Sequence, residues 1–167
     1  MGCMSPNEAR MYDLIEAVFN TDNDPTQLRF NESDIEKLVT LSPHTLQEAS
    51  NEDGPYAWVS VFPTSLNLMS QFMAGLIDER QLFDRTAEET SNDVVYLCSA
   101  IVLPEFRSQG IALKLTVQAI EAMKLAYPIR AALVWPFTDN GLRLAERASE
   151  TCGLTLEVRP RDTESSR

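Results

Sequence analysis

From Asp93 to Ala126 the chain reads DVVYLCSAIVLPEFRSQGIALKLTVQAIEAMKLA. This stretch limits the fold more than any other. A run of apolar and β-branched residues from Val94 to Leu103 has the composition of a strand buried on both faces. It stops at Pro104, and a polar turn follows. Gly110 then opens a segment with Ile111, Leu115, Ile120 and Met123 at helical spacing and Lys114, Gln118, Glu121 and Lys124 opposite. Pro128 ends that helix, and IRAALVW from Ile129 to Trp135 is a second near-continuous apolar strand. Strand, helix, strand at this spacing predicts a right-handed crossover with the two strands parallel. The polar turn at the helix start gathers free backbone N–H groups in one place, which suits an anion.

The rest of the chain is read around that unit. Ser5-Pro6 opens an amphipathic helix over residues 6–19, with Met11, Leu14, Ile15 and Val18 in register, and Thr21-Asp22-Asn23-Asp24-Pro25 ends it. A second helix is expected from Asn31 to Leu41, and a third from Ser42-Pro43 to about Ser50. Tyr56–Phe62 reads as a strand, stopped by Pro63. Thr64-Ser65 caps a helix over 64–78 carrying Leu66, Met69, Phe72, Met73, Leu76 and Ile77, whose methionines read as core. Residues 78–92 are charged without a clean period and read as a solvent-facing helix end and loop. A helix over 140–151 with Leu142, Ala145 and Ala148 on one side is closed by Gly153, and Leu154–Val158 is a last strand before a polar tail. On strict alternation one face of the central strand carries Tyr96, Cys98, Ala100 and Val102, and the other Val95, Leu97, Ser99 and Ile101.

These elements predict one α/β domain over residues 1–167: a mostly helical part at 1–92, a core at 93–158 and a tail at 159–167. No apolar run reaches the roughly 18 residues of a bilayer span. The N-terminus has no secretory core, and Pro6 stands where a myristoylation signal needs Ser or Thr. Cys3, Cys98 and Cys152 are odd in number and widely spaced, which argues against a disulfide framework and a zinc site and favours a reducing, cytoplasmic setting. The aspartates near residue 22 lack the spacing of a calcium loop, so no metal is expected. His44, the only histidine, reads as a surface residue. A formal charge of −11 disfavours nucleic acid and anionic membranes. Its plain reading is solubility, and its sharper one a cationic substrate such as an amine or a basic peptide.

Three phosphate-cradling motifs compete for the turn at Gly110. A P-loop needs Gly-Lys-Ser/Thr, but Ile111-Ala112 follow the glycine. A dinucleotide fingerprint needs three glycines, and one is present. Arg107-Ser108-Gln109-Gly110-Ile111-Ala112 fills all fixed positions of Arg/Gln-x-x-Gly-x-Gly/Ala, which is motif A of the GNAT acyltransferases. The lead-in Val102-Leu103-Pro104-Glu105-Phe106 is also similar to theirs. Over residues 93–156 the chain therefore resembles the GNAT superfamily.

The resemblance implies a GNAT-type mixed sheet with helices on both faces. It also implies acetyl-CoA or another short acyl-coenzyme A as donor, with the acyl group passing to an amine, either a small molecule or a basic peptide. It assigns the diphosphate to Arg107, Ser108, Gln109, Gly110, Ile111 and Ala112. It assigns the pantetheine arm to the strand at Ala100, Ile101 and Val102, faced by Asn140. The family's general acid is a tyrosine four residues before the position of Gly153, where this chain has Ser149. Its glutamate base falls at Tyr96, whose ordinary pKa near 10 suits a base poorly. Ser149 and Tyr96 are thus the expected catalytic positions. Tyr96 is equally well read as a packed aromatic, and Cys98 and Cys152 as small buried hydrophobes. Two other readings stay open: an acyl-coenzyme A-binding or interaction domain without turnover, and a phosphate-turn protein of unrelated fold. Oligomeric state is open, a homodimer included.

Overall fold

The computed structural model describes residues 3–19 and 28–161. The expected stop at Thr21–Pro25 and the tail beyond Arg161 lie outside them. In chain order the elements are helices α1 (Pro6–Phe19) and α2 (Glu32–Leu41), strands β1 (Leu46–Asn51) and β2 (Gly54–Thr64), helices α3 (Leu66–Met73) and α4 (Glu79–Thr86), strand β3 (Val94–Val102), helix α5 (Ile111–Ala126), strand β4 (Ala131–Val134), helix α6 (Asp139–Thr151) and strand β5 (Thr155–Val158). A 3-10 turn at Pro104–Phe106 joins β3 to the polar turn.

The strands form one mixed sheet in sequence order, antiparallel from β1 to β3 and parallel from β3 to β5. Helices cover both faces, as the resemblance implies. On one face Leu115, Ala119, Ile120 and Met123 of α5 and Ala145 and Ala148 of α6 pack on Val59, Val61, Val95, Leu97 and Ala132. On the other, α2, α3 and α4 bring Leu38, Leu68, Phe72, Leu82 and Phe83 onto Phe62, Val94, Tyr96 and Leu133. Helix α1 covers the far end of that face, with Met11 against Ile101 and Leu103.

The predicted crossover at 93–135 is present. The N-terminal part needs two corrections. Residues 42–50 are not a helix: Leu46–Asn51 is an edge strand whose residues pair with Gly54–Ser60. Leu, Gln, Glu and Ala favour helix locally, but pairing with the long β2 across a tight turn outweighs that preference. Of residues 78–92, read as a solvent-facing helix end and loop, 87–92 are a mostly exposed loop, but Glu79–Thr86 is a helix with Glu79, Leu82, Phe83 and Thr86 buried. Gly75, at φ +73°, breaks the expected helix over 64–78, and Asp78 starts a new one through a capping box with Gln81.

Helix α1 is seated on the hairpin between β1 and β2. Asn7 N–H donates to the Asp53 carbonyl at 3.1 Å, and Asn7 Nδ2 donates to the Gly54 carbonyl at 3.3 Å. Gly54 adopts φ +105°, and a Cβ there would lie 2.0 Å from Ser5 Oγ. At its other side α1 is tied to the turn after β3, where Arg10 grips both oxygens of Glu105 at 2.6 and 2.8 Å.

Candidate active site

The site begins with a parting of strands. Strands β3 and β4 pair only from Val94/Ala131 to Leu97/Val134. Beyond Leu97, β3 continues to Val102 with no partner on that side, so the edge from Cys98 to Val102 keeps its backbone groups free of β4. A bulge falls at the same place. Ser60 of β2 pairs with Ser99 and Val61 with Leu97, so Cys98 has no partner on β2. An extra residue reverses the alternation of everything after it. Ala100 and Val102 therefore join Val95 and Leu97 on the α5 side, and Ile101 joins the face of Tyr96. This corrects the uninterrupted alternation expected from sequence.

A cavity of about 560 Å³ opens where the strands part. Its walls come from β3, the turn after it, the starts of α5 and α6, the end of β4, and Leu14 and Val18 of α1. The expected strand residues Ala100, Ile101 and Val102 lie on it. So do Arg107, Ser108, Gly110, Ile111 and Ala112 of the turn, and Asn140. Gln109 is the exception: it points away and its side chain lies 3.5 Å from the Glu105 carbonyl.

The start of α5 differs from the other helix starts. Ser5, Asn31, Ser65, Asp78 and Thr138 each accept a backbone N–H at the start of α1, α2, α3, α4 and α6. Gly110 offers α5 no side-chain cap. The first bond in the helix runs from Lys114 N–H to the Gly110 carbonyl, so Ile111, Ala112 and Leu113 present N–H groups to the cavity. Both Ser108, at φ +62°, and Gly110, at φ +75°, are left-handed, and that double reversal wraps the turn around the helix end. Arg107 Nε donates to the Val102 carbonyl at 3.0 Å, fixing the turn to the strand it leaves.

Sequence reasoning missed two arginines. Arg143 and Arg147, one helical turn apart on α6, line the cavity with Asn140. Their spacing places them on one face with Asn140, a signal legible once the helix is drawn. In a chain of net charge −11, gathering Arg107, Arg143 and Arg147 at one cavity makes it locally attractive to anions.

Neither expected catalytic hydroxyl is on the cavity wall. Tyr96 is fully buried among Phe62 and Phe72, and its hydroxyl donates to Glu79 Oε1 at 2.7 Å. Ser149 is 2% exposed on the packed side of α6, with its hydroxyl unpaired. His44 is exposed at the head of β1, away from the cavity, and Cys152 is buried. Cys98, expected to be inert core, is half-buried and on the wall.

Behind Cys98 lies a carboxylate the sequence concealed. Glu79, in the first turn of α4, is 3% exposed. Its Oε2 accepts the Leu28 N–H at 2.8 Å, and its Oε1 accepts from Tyr96 and, at 3.8 Å, from the Cys98 thiol. Burial pushes its pKa above the ordinary carboxylate value, against the pull of these donors and of Arg159. The Arg159 guanidinium is held between Phe72 and Trp135, 4.2 and 4.6 Å from the ring centres. Burial and the charge of Glu79 push the thiol of Cys98 and the hydroxyl of Tyr96 well above their usual values.

Comparison with known proteins adds the following. No family model matches the chain. No curated protein matches it either. Among solved structures, the chain is similar to an aminoglycoside acetyltransferase from an uncultured soil metagenomic sample, crystallised with trehalose. The TM-score is 0.48 at 15% identity, over 87% of this chain and 81% of that one. It is also similar to a GNAT-like decarboxylase, GphF, in complex with isobutyryl-CoA, with TM-score 0.44, 18% identity, and 87% and 69% of the two chains covered. A third is the aminoglycoside antibiotic 6'-N-acetyltransferase of Acinetobacter haemolyticus, with TM-score 0.42, 18% identity, and 100% and 98% covered.

Proposed function

We propose that the protein is an acyl-coenzyme A-dependent N-acyltransferase that moves an acetyl or other short acyl group to an amine. The observation that carries this reading is the parting of β3 from β4 into the uncapped start of α5. One groove thus offers, in sequence, a free strand edge that can pair with the amides of a pantetheine arm and a helix start that can bind a diphosphate. The residues fit that occupant. A Cβ built at Gly110 meets nothing within 4 Å, so the approach to the backbone is open. Arg143 and Arg147 of α6 line the same cavity and can meet the remaining phosphate charge.

A thioester so placed supplies an activated carbonyl. The chain's part in direct transfer is positioning: the strand edge orients the arm, and the apolar walls at Leu97, Val134 and Trp135 exclude water from the carbonyl. An acyl acceptor bearing positive charge suits a protein of net charge −11. The placement of Tyr96 and Ser149 off the wall favours a second reading, an acyl-coenzyme A-binding domain without turnover.

Calorimetry with acetyl-CoA tests both readings, and absence of binding at high concentration sinks them together. Gly110→Glu is expected to abolish binding by placing a carboxylate at the helix start while the fold persists. Unchanged affinity would show that the cradle is misassigned. A thiol-release assay across a panel of amines then separates the two readings: release with any acceptor supports the transferase, and binding without release the binding domain.

A further inference from the structure

Resting on that reading of the cavity, we propose that Cys98 takes the acyl group from coenzyme A as a covalent thioester before it reaches the acceptor, with Glu79 as its base and Ser60 as hydrogen-bond donor. Three observations converge. The bulge places Cys98 where β3 has no partner on either side, on the cavity wall at the point where the strands part. Bulges beside active sites re-aim a side chain in this way. Glu79 Oε1, buried behind the wall, is the acceptor of the Cys98 thiol at 3.8 Å, a normal length for a sulfur donor. Ser60, 5% exposed and on the same wall, has its hydroxyl within reach of the Cys98 sulfur, where it favours the thiolate.

The chemistry balances without any further reagent. The Cys98 thiol gives its proton to the Glu79 carboxylate as its sulfur attacks the thioester carbonyl. The tetrahedral oxyanion accepts from Ser60 Oγ–H. The bond to the coenzyme sulfur breaks, and that thiolate takes the proton back from Glu79. One thioester is exchanged for another with no redox change. An amine then attacks the Cys98 thioester, the S–C bond breaks as the N–C bond forms, and the amine proton returns to the sulfur through Glu79. The assignment also places the reacting group on the one described cysteine that borders the cavity, Cys3 being exposed and Cys152 buried elsewhere.

The test is isotope exchange: labelled coenzyme A is incubated with unlabelled acetyl-CoA and the full chain, with no acceptor present, and the label is followed into acetyl-CoA. Exchange detects the acyl-enzyme even when it does not accumulate. The wild type is expected to exchange, Cys98→Ala to lose exchange entirely, and Glu79→Gln to slow it by roughly 10² or more. Cys98→Ala is expected still to bind acetyl-CoA by calorimetry, so that lost exchange reads as lost chemistry rather than lost binding. Binding without exchange in the wild type overturns the proposal and leaves the cavity assignment standing, as does exchange that survives in Cys98→Ala. Absence of binding overturns the cavity assignment, and this proposal with it.

Discussion

Glu79 combines deep burial with three donors and an arginine nearby. In the unfolded chain it releases its proton near the ordinary 4.5, and in the folded chain at a higher pH. Between these values the native state binds more protons than the unfolded one, so stability falls as pH rises through that window. Glu79→Gln removes the titration. Urea midpoints measured from pH 4.5 upward are therefore expected to fall for the wild type relative to the variant and then run parallel. A constant difference across that range would mean that the carboxyl is not desolvated. Gly110 gives a second residue-scale test. Its φ of +75° disfavours a side chain although space is open, so Gly110→Ala is expected to cost about 1 kcal/mol, read as a lowered thermal midpoint.

Among the elements, α4 departs most from its sequence reading, and its packing is directly testable. Phe83 is 2% exposed, edge-on to Phe30 and Phe62 at 5.4 Å. Phe83→Ala is expected to lose about 3–4 kcal/mol by denaturant unfolding, where a solvent-facing residue would lose almost nothing. The capping box from Asp78 to Gln81 was a legible sign of this helix, but the burial of Glu79 behind it was not, because a glutamate within a charged run reads as solvated. The strand, turn and helix that frame the cavity were legible because they are contiguous from Val94 to Ala126, and motif and periodicity agree there. The bulge at Cys98 was not, since it is set by pairing with Ser60 and Val61 rather than by any local residue. Strand β1 was hidden for a related reason: its helix-forming residues become a strand only when β2 is beside them. The group of Glu79, Ser60 and Cys98 was the least legible, being assembled from α4, β2 and β3.

For the molecule as a whole, two buried carboxylates set the acid limit. The Arg80 guanidinium, bonded to both oxygens of Asp34 at 2.8 Å, holds that carboxyl below its usual value against the effect of burial. Burial acts to raise Asp93, but the Leu66 N–H and Arg130 outweigh it. Both contribute stability that is present above the ordinary 3.8 and is lost as pH falls through their depressed values. Acid unfolding is expected to begin below that point, and Asp34→Asn to be destabilised by about 2 kcal/mol at neutral pH and to lose much of the remaining acid dependence.

The seat of α1 on the β1–β2 hairpin has a reach beyond stability. Helix α1 supplies Leu14 and Val18 to the cavity, and through Arg10 it braces the turn that would hold the diphosphate. Its position depends on Gly54, which is not on the cavity wall and lacks the side chain that would collide with Ser5. Gly54→Ala is therefore expected to weaken acetyl-CoA binding while the circular dichroism spectrum stays native, and unaltered affinity would show that the helix tolerates displacement. On the proposed function, variation at the hairpin tip is expected to retune ligand affinity through the position of α1, without touching a ligand contact.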